Sequence, residues 1–257
     1  EDFLNNSITQ RLVIVIPARY NSTRLPGKPL ADILGKPMVQ HVYEKALQVP
    51  HAHAVLVATD DIRVADAVRN FGGQCLMTSS DHPSGTDRLT EVMAQVDADI
   101  YINLQGDEPL VRPADISSLA DGMWADPLVQ VGTLCHAIST KEAANPNIVK
   151  MVQAGNGDAL YFSRAPIPYQ RDDDSSEEVR YLKHVGVYAY RREVLAAYAN
   201  LPKPMIEQAE KLEQLRLLSA GFRIRSFKVA TTGPGVDTPE CLEQVRALMA
   251  GREPELY

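Results

Sequence analysis

Four short apolar runs in the first half of the chain, "RLVIVIPA", "HAVLVATD", "QCLMTS" and "DIYINLQGDEP", each lead into a polar loop and then a segment with helical spacing. Runs that are apolar without alternation suit strands buried on both faces, as in parallel sheets. The intervening segments read as helices. In "KPMVQHVYEKALQ", Met38, Val39, Val42, Ala46 and Leu47 lie close to helical spacing. "DIRVADAVRNFG" ends at Gly72, "DRLTEVMAQV" follows the third run, and "PADISSLADGMW" carries Pro113 in its first turn. Strand and helix in alternation predict βαβ units, hence an α/β fold with a mainly parallel central sheet flanked by helices.

The second half is more mixed. "VQVGTLCHAIS", "KHVGVYAYRR" and "FRIRSFKVA" read as strands, and "IEQAEKLEQLRLLSAG" as one helix closed by Gly221. "DTPECLEQVRALMA" is a final helix with Asp237 or Thr238 as N-cap and Pro239 at its first position. "DALYFSRAPIPYQRDDDSSEEVR" is Pro-rich and then charged, so part of it is a loop or arm. With no internal repeat and no interdomain linker, residues 11–251 read as a single domain.

Composition narrows the partners. At 257 residues, 45% apolar and 23% charged, the chain has ample material for a core. A formal net charge of −7 argues against nucleic acid, so any cationic patch should be local and aimed at a small anion. No apolar run approaches the roughly 20 residues that span a bilayer, and the polar start "EDFLNNSITQ" does not read as a secretory signal. Cys75, Cys135 and Cys241 are odd in number and far apart, which suits small core residues in a reducing cytosol. The expectation is a cytoplasmic protein without membrane insertion.

In open α/β sheets ligands sit beyond the carboxyl ends of the strands, so the residues just after each run carry the chemistry. After the first run come Arg19, Arg24 and Lys28, on a loop set by Pro and Gly. Cations on such a loop, with exposed backbone N–H groups, suit a polyphosphate. The loop matches neither GxxxxGK[ST] nor GxGxxG, and a solvated basic loop is the plainer alternative. Asp107 in "QGDEP" and Asp237 in "GVDTP" also follow β-type runs. Carboxylate oxygens are ligands that Mg²⁺ prefers, although Asp107 could be a turn residue before Pro109 and Asp237 a helix cap. His41, His51, His53, His82 and His136 show no metal spacing.

"IPARYNSTRLPGKPL", "DHPSGTDR", "NLQGDEP", "ALYFSRAPIPY", "YLKHVGVYAYRR", "LEQLR" and "PGVDTPE", in this order, strongly resemble the CMP-KDO synthetases, bacterial 3-deoxy-manno-octulosonate cytidylyltransferases. The resemblance runs from about residue 12 to about 250, and several words look most like the capsule-associated isoform. It implies a nucleotide-diphospho-sugar transferase-like fold with a smaller mixed subdomain contributing to a homodimer. It also implies a Mg²⁺-dependent reaction of CTP with KDO, giving CMP-KDO and pyrophosphate for capsule or lipopolysaccharide synthesis.

By position, the resemblance assigns catalysis to Arg19, Lys28, Asp107 and Asp237, with the two aspartates as metal ligands. CTP falls to Pro17, Ala18, Arg19, Arg24, Lys28, Ser84, Gly85, Thr86, Arg88 and Gln105. KDO falls to Gln105, Arg164, His184, Tyr188, Glu213 and Gln214. Tyr188 could equally be core, and Glu213 an i,i+3 partner of Arg216. Nucleotide handling is expected in about 11–125, sugar binding and dimerisation in about 126–232, and a metal loop and helix in about 233–251. Two rival enzymes fit less well. A sialic-acid CMP-sugar synthetase has a different opening loop, and a hexose-1-phosphate nucleotidyltransferase needs a "GGxGTRL" opening. An inert nucleotide-binding module would not need to keep Arg19, Lys28, Asp107 and Asp237.

Overall fold

The computed structural model describes residues 10–171 and 181–251. The chain begins with β1 (Leu12–Pro17), whose five residues Leu12 to Ile16 are wholly buried. A basic loop and a 3₁₀ turn (Lys28–Leu30) lead to a small hairpin, β2 (Asp32–Ile33) and β3 (Lys36–Pro37). Then come α1 (Met38–Ala46), β4 (Ala54–Thr59), α2 (Ile62–Asn70), β5 (Cys75–Met77), α3 (Gly85–Gln95), β6 (Ile100–Asn103) and α4 (Pro113–Ala125). The second half runs β7 (Val131–Ile138), α5 (Thr140–Ala143), β8 (Lys150–Gln153), β9 (Ala159–Ser163), β10 (Tyr181–Arg191) and α6 (Arg192–Tyr198). It closes with α7 (Met205–Glu210), α8 (Gln214–Ser219), β11 (Ile224–Lys228) and α9 (Pro239–Met249).

The strands form one sheet in the order β11-β7-β10-β6-β1-β4-β5, with β8 beside β10 and β9 beside β8. Along the seven-stranded path β10 alone runs against its neighbours, so the sheet is mainly parallel, as the apolar runs predict. Alternation along β1 divides the core. Leu12, Ile14 and Ile16 face Val39, Val42, Val64, Ile116 and Leu119 from α1, α2 and α4. Val13 and Val15 join Leu89, Val92, Val194, Leu195 and Tyr198 from α3 and α6 on the other face. The hairpin β8–β9 was not expected from sequence; it lies off the main path against the first half of β10. The charged part of the expected arm, 172–180, lies outside the described residues.

The expected single helix over Ile206–Gly221 is two. Lys211 breaks it in a left-handed conformation (φ 55°, ψ 46°) between α7 and α8. Glu207 and Arg216 show why. They form a buried two-pronged ion pair at 2.8 and 2.5 Å. On one continuous helix, residues nine apart would sit about 13.5 Å apart along the axis, so the chain must fold back for them to meet. At the final helix Thr238 is the N-cap, accepting from Cys241 N at 3.3 Å, which leaves the Asp237 side chain for other contacts.

Gly122 on α4 marks the tightest helix-to-sheet contact. An added Cβ would stand 2.3 Å from the Phe227 ring on β11. Gly122→Ala gains helix propensity of up to about 1 kcal/mol but overpacks this contact at about 1–3 kcal/mol. We expect a net loss of about 1–2 kcal/mol in urea unfolding; a stabilised variant would mean that the ring yields freely.

Candidate active site

The loops after β1 and β6 lie side by side because those strands are neighbours, with Val15 opposite Asn103. Gly106 permits their close approach: an added Cβ would stand 3.0 Å from the Pro17 carbonyl oxygen. Gly27, at φ 69°, turns the basic loop back, its N–H bonding the Tyr20 carbonyl at 3.0 Å. The turn delivers Lys28 to the carboxylates. Lys28 Nζ lies 2.6 Å from Asp107 Oδ2 and 3.2 Å from Asp237 Oδ1, while Arg24 Nη2 lies 3.2 Å from the same Asp237 oxygen. Burial alone would lower the Lys28 pKa, but its attraction to Asp107 and then Asp237 outweighs burial and holds it above the ordinary value.

Asp237 reaches this point because a small apolar cluster of Ile33, Met38, Val236, Leu242 and Val245 packs α9 against the first loop. Val236 N–H also bonds the Asp107 carbonyl at 2.8 Å. Glu108, which the sequence reading passed over, sits beside the pair. Burial, and then the Asp107 charge, push its carboxyl up to about 7. Its only sequence signal was its place in "QGDEP".

Two adjoining cavities open here, the first of them onto this cluster. One, of about 360 Å³, is lined by Pro17, Ala18, Arg19, Arg24, Lys28 and Asp107 among others. The second, of about 200 Å³, is lined by Thr86, Asn103, Tyr188, Tyr190, Tyr198, Glu213, Gln214 and Leu217. Gly85 and Gln105 line both, so the cavities adjoin. Gln105 Nε2 donates to Asn103 Oδ1 at 3.1 Å, and Tyr190 and Thr86 hydroxyls meet at 3.3 Å. Sequence reasoning missed Asn103, Tyr190, Tyr198 and Leu217, which read as ordinary strand or helix interior.

Of the remaining predicted residues, Arg19 lines the cleft, and Ser84, Arg88, Arg164 and His184 line neither cavity. Arg19 donates to the His82 carbonyl, fixing the basic loop to the loop before α3. Ser84 caps α3, accepting from Asp87 N at 3.1 Å. Arg88 is wholly buried, donating to Thr78 Oγ1 with Asp60 at 3.7 Å, and lines neither cavity. Arg164 donates to the Glu210 carbonyl at 2.7 Å and the Pro146 carbonyl at 3.1 Å and lines neither cavity. Arg216 is taken by Glu207, so Glu213 is not its surface partner. His184 is buried behind Tyr188, with ring centroids 5.3 Å apart, and its Nε2 lies 2.9 Å from Thr133 Oγ1. Among the described residues no three His, Cys, Asp or Glu side chains converge on one point. The carboxylate pair Asp107 and Asp237 is what the cleft offers a cation.

A basic loop and paired carboxylates at the carboxyl edge of a mainly parallel sheet, opening onto a second polar cavity, define an α/β enzyme of the nucleotide-handling kind. The chain belongs to the cytidylyltransferase family, whose signature matches residues 13–224. Its relatives include 3-deoxy-manno-octulosonate cytidylyltransferases from Escherichia coli, 66% identical over 93% of this chain and 96% of that one, and from Geobacter metallireducens, 52% identical over 91% and 96%. A solved structure of CMP:2-keto-3-deoxy-manno-octonic acid synthetase complexed with CTP matches with a TM-score of 0.91 at 65% identity, covering 94% of this chain and 99% of that one. A cytidylyltransferase from Leptospira borgpetersenii shares the fold, with a TM-score of 0.65 at 15% identity over 94% and 87%. These relatives do not distinguish a capsule-associated isoform. No helix of the described residues is long and apolar enough to cross a membrane.

His184 yields a pH prediction. Burial, and then the Lys183 charge, hold its imidazole down at about 3, against 6.5 for the free group. Between those values the unfolded chain binds the extra proton, so stability falls as pH drops below 6.5. Unfolding in urea at pH 7 and pH 5 should show the wild type losing about 2 kcal/mol more than His184→Gln. Equal losses would mean that His184 titrates normally.

Proposed function

We propose that the chain transfers CMP from CTP to KDO, giving CMP-KDO and pyrophosphate. One observation carries the reading: Lys28, Asp107 and Asp237 meet at a cleft that adjoins a separate polar cavity across Gly85 and Gln105. The reaction is an in-line displacement at the α-phosphorus by the anomeric hydroxyl of an acid sugar. Anion attacks anion, so neutralising charge and fixing the two partners are the main tasks.

Arg19, Arg24 and Lys28 neutralise the triphosphate and the departing pyrophosphate. The backbone at Pro17 and Ala18, with Gly85 and Thr86, holds base and ribose, and Ser84 and Arg88 support that wall from behind. The Gln105 carbonyl oxygen accepts from the cytosine amino group, its Nε2 being engaged by Asn103. Tyr188, Glu213 and Gln214 contact KDO hydroxyls, and His184 sets the Tyr188 ring. Arg164 is assigned the sugar carboxylate, which requires its guanidinium to exchange carbonyl partners for the acid. This division gives nucleotide handling to about 11–125, sugar binding and dimerisation to about 126–232, and the metal loop and helix to about 233–251.

CTP-using nucleotidyltransferases are generally divalent-metal dependent. Asp107 and Asp237 fit Mg²⁺, a hard cation that takes one or two carboxylates and completes its octahedron with water and phosphate oxygens. When bound it would offset phosphate charge beside Lys28. We assign a cytoplasmic homodimer, supported by the family resemblance and by the Pro-rich start of the arm after β9.

The test is pyrophosphate release with Mg²⁺, pairing CTP or UTP with KDO, sialic acid or glucose-1-phosphate. CTP with KDO should be the efficient pair. Equal kcat/KM for UTP, or preference for another sugar, would overturn the reading. Asp107→Asn should lower kcat by about a hundredfold or more with melting unchanged, since it removes a carboxylate that would hold Mg²⁺ and that positions Lys28 beside the phosphates. Near-wild-type turnover would remove Asp107 from the mechanism.

A further inference from the structure

Tyr198 ends α6 and is 1% exposed, yet its hydroxyl has no hydrogen-bond partner among the described residues. A buried phenol ordinarily finds one. The neighbouring Tyr190 does, in Thr86. Tyr198 lines the smaller cavity beside Glu213, on a wall that the nucleotide cleft does not share. Its ring is fixed: the Arg216 guanidinium lies 4.6 Å from the ring centroid and is itself held by both oxygens of Glu207. The ring is therefore placed by contacts that do not use the hydroxyl, which faces the Glu213 carboxylate at the cavity wall without a well-formed hydrogen bond to it.

We infer that the Tyr198 hydroxyl is a specificity-determining donor for the acid sugar, and that it grips one sugar hydroxyl jointly with Glu213. This rests on the reading of the smaller cavity as the KDO site. A carboxylate only accepts hydrogen bonds, whereas a sugar hydroxyl both donates and accepts. The gripped hydroxyl donates to Glu213 and accepts from Tyr198 Oη. Burial, and then the Glu213 charge, raise the phenol's pKa, so the donor proton is kept. A sugar lacking that hydroxyl leaves the phenol unpaired, which is how a polar pocket rejects a near-isostere.

The experiment compares wild type with Tyr198→Phe in three readouts. Phe keeps the ring stacked on Arg216 and removes only the unpartnered oxygen. The ligand-free variant should therefore melt at or above the wild-type temperature, and a lower melting point would overturn the inference by showing that the hydroxyl serves the fold. In steady-state kinetics the variant's KM for KDO should rise about tenfold, equivalent to about 1.4 kcal/mol. Its kcat should stay within about twofold, and CTP affinity by calorimetry should be unchanged. The third readout uses KDO analogues deoxygenated singly at carbons 4, 5, 7 and 8. One of them should be used equally by both proteins, while the others keep the penalty. An unchanged KM for KDO, or the same penalty on every analogue, would overturn the inference. Should the wild type release no pyrophosphate with KDO, the function itself fails, and the melting comparison still reports whether the hydroxyl is idle in the fold.

Discussion

The Lys28 ammonium, set between Asp107 and Asp237, ties together stretches that the chain separates by 79 and 209 residues. The pair with Asp237 adds little to the fold. Asp237 is about half exposed, and exposed pairs contribute roughly 0–1 kcal/mol. The apolar packing of Val236, Leu242 and Val245 on Ile33 and Met38 does the holding, and the charges are carried to their meeting point by it. Burying an apolar side chain fully is worth about 1.5–3 kcal/mol, so several such residues contribute more than the exposed ion pair does. The cleft thus stores opposed charges on a frame that does not need them.

The second cavity depends on a different constraint, the antiparallel course of β10. Tyr188 stands opposite Asn103 in the pairing with β6, and both line the cavity. Because β6 also carries the chain to Gln105 and Asp107, one strand pair sets the spacing of the two cavities. The break at Lys211 completes the enclosure. It starts α8 at Gln214 and lets Glu213 and Gln214 face the tyrosines, while Arg216 turns back to Glu207. A continuous helix there would keep the periodicity and change which residues reach the cavity.

That break explains much of what could and could not be read from residues alone. The parallel core was legible because strands buried on both faces are apolar without alternation. Gly72, Gly221, Pro113 and Pro239 punctuate the helices as expected. The Lys211 turn carries no Gly or Pro and interrupts no apolar stripe, so nothing local announces it. The polar convergence at Lys28 was legible because each partner follows an apolar run. Tyr198 and Asn103 were not, since a buried residue that faces a cavity has the same periodicity as one that faces the core. Arg88, Arg164 and His184 teach the converse: their motifs are strong, yet the fold sets them behind the walls, held by Thr78, by backbone carbonyls and by Thr133.

On the proposed function, Asp107 and Asp237 beside Lys28 mark the point where metal and triphosphate charge are balanced. Calorimetric titration of CTP into the protein, with and without Mg²⁺, measures this most directly. The wild type should bind CTP more tightly with Mg²⁺, and the Asp107→Asn, Asp237→Asn double variant should lose that dependence while binding metal-free CTP no worse than the wild type. A double variant that kept the full Mg²⁺ enhancement would place the metal elsewhere and contradict the account.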